Sequence, residues 1–231
     1  MPATHGPIEV YLEVAEKRAF AGGIEWPGWC RSGRDGPAAL ETLVVSAPRY
    51  ARVVSRLRPA FRAPATADDV RVRERLAGDA TTNFGAPGIA PEADRRRLDA
   101  AELRRQMRIL RACWAAFDRA VDRAEGSELT KGPRGGGRSL GAIVEHVVGA
   151  EAGYVRLLAW KPPRVDEAEP AASLEPVRDA AATALDHALR EGVPAVGPRG
   201  GKMWSPRYFL RRDAWHVLDH AWEIEDRTPA A

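Results

Sequence analysis

The sequence predicts an α+β unit, a small antiparallel sheet with one helix, followed by an all-α unit of four helices. Three observations carry this. Strand-like alternation of apolar and polar residues is confined to the first third of the chain, turn-forming residues cluster at NFGAPGIAP (83–91), and four amphipathic stretches of similar length follow. At 231 residues the chain is long enough to bury two cores. The expected division is residues 1–82, a linker at 83–92, and a helical domain over 93–231.

Residues 8–14, IEVYLEV, alternate, and after the Lys17–Arg18 turn comes a second apolar stretch, AFAGGI. Together they read as a hairpin. A short third strand is compatible with the stretch after WPGWC. From Pro37 to about Val54 apolar residues recur at helical spacing, and VRVRERL (70–76) alternates again.

Leu103, Met107, Leu110, Trp114, Phe117 and Val121 recur at intervals of four and three, predicting one long helix from about Pro91 to Ala124. Gly126 stops it. Ser139 is placed to cap a second helix running to about Trp160. After the long connection WKPPRVDEAEPAA, a third helix covers Ser173 to about Glu191. The fourth runs from a Ser205 cap, with Pro206 at its first position, to about Asp226. Four such helices are a bundle pattern.

No run of about 18 apolar residues occurs, and the opening MPATHGPIEV lacks the pattern of a secretion signal, so a cytoplasmic protein with no membrane partner is expected. Cys30 and Cys113 fall in different elements without metal-type spacing, which argues against a disulfide framework or a thiolate site. The net charge of +3 comes from 35 basic and 32 acidic residues, a mixed surface rather than a phosphate-binding stripe, and nucleic acid is not an expected partner. Arg104, Arg108 and Arg111 on the first long helix are interleaved with acids and read as an exposed face.

The stretch DAWHVLDHAWEIEDR (213–227) sets His216 and His220 four apart on a helix, about 40° from one another. Two imidazoles so placed reach one divalent ion, or are ordinary histidines at the edge of a packed face. A third ligand decides between these, and His146 in the second helix borders that helix's apolar side. His146 lies seven residues after Ser139, roughly 10 Å along the axis, and His220 six residues before the end of the fourth helix, roughly 9 Å from it. The levels match if those helices are antiparallel. They are, if the long 161–172 connection is a crossover that makes helices two and three parallel.

RSLGAIVEHVVGAEAGYVRLL together with RRDAWHVLDHAWEIEDR resembles the DinB-like (DinB/YfiT) superfamily of metal-binding four-helix proteins, over residues 91–231. The resemblance implies an up-down-down-up bundle with a divalent metal, zinc or nickel, on His146, His216 and His220. It also implies an S-transferase or isomerase that uses a low-molecular-weight thiol, with a metal-dependent hydrolase as the alternative, and a homodimer. Three neutral imidazoles leave an ion its full charge and an open position, so a thiol or water there loses its proton near neutral pH.

Asp213, Asp219, Glu223, Glu145 and Glu151 are placed to orient a ligand imidazole or move a proton; each singly reads as a solvated helix charge, and Glu223, one turn beyond His220, is the best candidate to orient that imidazole. Tyr154 is a candidate to line a pocket for a small-molecule substrate. Lys131, Arg134 and Arg138 are candidates to receive its acidic group. IEVYLEV with WPGWCRSGRDGPAALETL resembles HicB-like antitoxin domains, although Trp29 separates Gly28 from Cys30. A reading from another class remains: a helical bundle with an α+β adaptor that binds a protein or nucleic acid.

Overall fold

The computed structural model describes residues 6–132, 137–198 and 200–229, which form two compact units meeting at Arg96 and Arg97. In the first unit, β1 (Ile8–Val14), β2 (Ala19–Gly23), β3 (Cys30–Gly33) and β4 (Val70–Ala77) form one sheet in the order β3-β2-β1-β4. The sheet is mixed, not antiparallel as expected: β2 runs against β1 and β3, but β4 runs parallel to β1. The reason is the connection. Helix α1 (Gly36–Val53) carries the chain from one edge of the sheet to the other, and a helical crossover returns a strand in the same direction.

Asp35 caps α1 by accepting from the Ala38 N–H, with Pro37 in the first turn. Its buried side presents Ala39, Leu43, Ala47 and Tyr50. Tyr50 stacks on Trp29 at 6.3 Å and meets Phe61 edge-on at 4.9 Å, and its hydroxyl donates to the Pro27 carbonyl at 2.7 Å. The expected 83–92 linker is largely folded into this unit. Buried Glu13 accepts from Thr82 Oγ1 and from the Gly88 and Ile89 amides, and a short helix α2 (Ala80–Phe84), which the sequence pattern does not announce, precedes them. Burial pushes the Glu13 carboxyl above its ordinary pKa, against those three donors.

The second unit holds four long helices, α3 (Ala100–Ala124), α4 (Leu140–Leu157), α5 (Leu174–Glu191) and α6 (Pro206–Arg227). Helix α3 begins nine residues later than expected because Asp99 forms a capping box with Glu102, while residues 92–95 make only a 3-10 turn. Ser139 and Ser205 cap α4 and α6. Ser173 precedes α5 without capping it, since its hydroxyl accepts from the Asp166 amide instead.

Ion pairs fix the helix directions. Arg207 pairs with Glu102 at the starts of α6 and α3, and Arg123 with Glu225 at their ends, so these two run parallel. Tyr154 late in α4 packs on Trp204 before α6, while Arg138 before α4 meets Arg227 at the end of α6, so α4 and α6 are antiparallel. Helix α5 opposes α3, since Arg178 near its start pairs with Asp118, late in α3.

Helix α6 is the most enclosed. Leu210, Ala214, Val217, Leu218, Ala221 and Ile224 are fully buried, each large aliphatic contributing about 1.5–3 kcal/mol. Arg207, Arg211, Asp213, His216, His220 and Arg227 are buried with them. Charged and polar side chains that deep require partners, and this concentration marks where the chemistry lies. Among the described residues no helix is long and apolar enough to cross a membrane.

Candidate metal centre

The antiparallel pairing of α4 and α6 brings His146 onto the two histidines of α6. The ring centroids form a near-equilateral triangle: 5.0 Å from His146 to His216, 5.0 Å from His146 to His220, and 4.8 Å from His216 to His220. Nε2 of His146 and Nε2 of His216 face one another at 3.1 Å, and one nitrogen from each ring lies within 4.8 Å of the others. Imidazole nitrogens bind zinc at about 2.0–2.1 Å, so two on one ion lie at most about 4 Å apart. The 3.1 Å pair fits as it stands. The widest separation, up to 4.8 Å, must close by about 1.4 Å to reach the roughly 3.4 Å spacing of two nitrogens on a tetrahedral ion, a movement within reach of side-chain rotation.

His146 and His216 have the protonation a metal needs. Burial, then the neighbouring His220 and Arg138, pull the His146 pKa down to about 4. Burial, then His220, Arg212 and His146, hold His216 well below its ordinary value. Both rings are therefore neutral at pH 7, which is the form that ligates a metal.

His220 is held from behind. Its Nδ1 pairs with Glu223 Oε2 at 2.8 Å, leaving Nε2 as the nitrogen it can offer. Glu223 Oε1 accepts from Arg227 Nη1 at 2.8 Å, and that guanidinium also donates to the Thr130 and Arg138 carbonyls, each at 2.8 Å. The hydrogen bond to His220, the largest influence, holds the Glu223 carboxyl below its usual range. Glu223 thus stands where the sequence placed it. Arg227 was missed, although its i, i+4 spacing from Glu223 is a readable signal.

On one flank, Tyr154 packs edge-on to His216 at 5.7 Å and against Trp204 at 5.0 Å, with the Arg212 guanidinium 5.6 Å from its ring. Burial raises the Tyr154 phenol, so it stays protonated at neutral pH. Trp204 was not singled out from the sequence; its loop comes back to α4 through a 2.8 Å bond from the Trp204 amide to the Leu157 carbonyl.

On the other flank is an open cavity of about 520 Å³ lined by Arg138, Ala142, Glu145, His146, Gly149 and Ala150. A β-carbon on Gly149 would meet nothing within 4 Å, so the surface of α4 is open at that turn beside His146. Arg138 is therefore beside the histidines. Lys131 is exposed and does not line the cavity, and Arg134 lies outside the described residues.

Deeper in the unit, the four helices each contribute a side chain to one polar cluster: Trp114, Glu151, Arg178 and Asp213. Glu151 and Asp213 are 2 % and 1 % exposed, and Arg178 Nε stands 3.6 Å from Glu151 Oε1. These two acids read as solvated from the sequence; the fold buries both. Asp213 faces inward because it lies within about 20° of His220 around the helix axis. Burial lifts the Asp213 pKa to about 7 against the opposing pull of Arg178, Trp114 and Arg212. Burial and then the Asp213 charge lift Glu151 well above its ordinary value. Compared with family models, curated proteins and solved structures, the chain matches none.

Proposed function

We propose that the second unit is an up-down-down-up four-helix bundle of the DinB-like kind, and that it holds a divalent first-row metal, zinc or nickel, on His146, His216 and His220. Its activity in this reading is to activate a low-molecular-weight thiol for transfer or isomerisation on a small-molecule substrate. The observation that carries the proposal is the triangle of three imidazoles on two antiparallel helices, with the Nε2 atoms of His146 and His216 facing at 3.1 Å and those two rings kept neutral by burial. The sequence resemblance to the DinB-like superfamily supplies the reaction class.

A divalent ion held there would supply a Lewis acid with an open position, lowering the pKa of a thiol or water that reaches it. The chain's residues have separable roles. Glu223, clamped by Arg227, fixes the ring of His220. The open surface of α4 at Gly149 admits a ligand beside His146, and Arg138 offers a positive charge in the same cavity to an anionic end of the thiol or substrate. The protonated Tyr154 phenol can donate a hydrogen bond on the opposite flank.

Elemental analysis of the purified protein tests the site. Near-stoichiometric metal is expected, and the double variant His216→Ala, His220→Ala should lose it while keeping its helical circular dichroism. A folded wild-type protein that takes up neither zinc nor nickel would sink the proposal. Turnover of an electrophile panel with and without added thiol then separates thiol transfer from the hydrolase alternative.

A further inference from the structure

Arg104, Arg108 and Arg111 are exposed on α3, and the acids expected among them lie farther along the helix. Positions 104, 108, 111, 115, 118 and 122 recur at intervals of four and three, and Arg104 and Asp122, eighteen residues apart, share one meridian after five turns. The stripe reads Arg, Arg, Arg, Ala, Asp, Asp along one side of α3. Two open cavities follow it and share Arg111. One, of about 630 Å³, holds Arg104 and Arg108, with Leu189 and Asp186 from α5. The next, of about 550 Å³, holds Trp114, Asp118 and Asp122, with Glu175 and Asp179 from α5. Together they make a groove between α3 and α5, mainly basic over one half and mainly acidic over the other.

This order does not favour the helix that carries it. Arg104 with Arg108, and Asp118 with Asp122, are like charges four apart, and Asp122 stands in the last turn, where the helix dipole disfavours an acid. Arg178 answers Asp118 at 2.8 Å, but Arg108, Arg111, Asp122, Glu175 and Asp179 form no ion pair among the described residues.

The stripe is its own complement. Turned end for end about Cys113, Arg104 falls on Asp122, Arg108 on Asp118, and Arg111 on the small Ala115. A two-fold axis lying across α3 makes that rotation and sets the basic half against the acidic half twice over; an axis along the helix would set like charges together.

We propose that the groove between α3 and α5 is a docking surface for a second copy of this chain, with the two α3 helices antiparallel, Arg104 opposite the partner's Asp122 and Arg108 opposite the partner's Asp118. The contact is steered by charge, so salt weakens it. It uses none of the three histidines, so metal-free protein associates as well, and the metal reading and this one fail separately.

Sedimentation velocity of the full chain tests it. Wild type should be a dimer at low salt and dissociate toward about 0.5 M salt. Arg104→Glu alone, or Asp122→Arg alone, turns two attractive pairs into two repulsive ones and should weaken association about tenfold or more. An equimolar mixture of the two variants restores both attractions and should associate within about threefold of wild type, which unfolded variants could not do. A wild type that stays monomeric, a dimer that neither reversal weakens, or a loss that mixing does not restore would overturn the proposal. A monomeric wild type that retains a nucleic acid or another protein through Arg104 assigns the groove to that partner and equally overturns it.

Discussion

Arg227 closes over the backbone at Gly137 so tightly that a β-carbon there would sit 2.5 Å from its Nη2. Gly137 has φ +145°, a conformation other residues rarely adopt, and the guanidinium it admits is the one that clamps Glu223 against His220. A residue outside the histidine cluster therefore controls the orientation of the His220 ring. Gly137→Ala should displace Arg227, release Glu223 and weaken zinc binding by about tenfold, read by chelator competition. Gly141→Ala, where a β-carbon meets nothing, should leave it unchanged.

The buried acids give a pH signature. Asp213 is lifted to about 7 by burial from an ordinary 3.8, and Glu151 is lifted too. Between those values the folded chain keeps a proton that the unfolded chain releases, so stability is fullest below about pH 4 for this pair and falls as pH rises toward 7. Urea midpoints should drop from pH 5.5 to pH 8. Glu151→Gln removes one of the two raised carboxyls, and it should make that drop shallower. An equal drop in both proteins would count against a coupled pair.

Gly149 lines the cavity beside His146 on an otherwise regular helix turn. Gly149→Ala should raise thermal stability by about 0.5–1 kcal/mol, since the backbone gains helix propensity and nothing is displaced. Gly149→Phe should fill the approach while sparing the metal. In cobalt-loaded protein, 2-mercaptoethanol should perturb the visible spectrum of wild type and Gly149→Ala but not of Gly149→Phe.

In the first unit, Tyr50→Phe removes the donor to the Pro27 carbonyl and keeps the aromatic packing on Trp29 and Phe61. A loss of about 1–2 kcal/mol is expected in urea unfolding, from the carbonyl left unpaired in a buried setting.

The helices of the second unit were legible because their apolar seams are long and their caps local: Ser139 and Ser205 both act as read, and α6 ends within a residue of expectation. His146 was found by a level argument that needs only helix rise and direction. What stayed hidden depends on contacts between segments distant in sequence. The parallel register of β4 on β1 follows from a crossover over the sheet, and no alternation within VRVRERL encodes it. Asp213 and Glu151 look like ordinary helix charges until α3 and α5 cover them. Asp99 followed by Glu102 carries the capping signal, although the helix was expected to start from Pro91.

The three imidazoles come from two helices joined by nothing covalent nearer than the long route through α5. An ion shared between α4 and α6 would bind only while those helices are docked, and at a hundred times its dissociation constant it adds about 2.7 kcal/mol to that docked state. Starving a cell of the ion would then shorten the protein's lifetime by exposing it to proteases, so abundance would follow metal supply even where transcription does not.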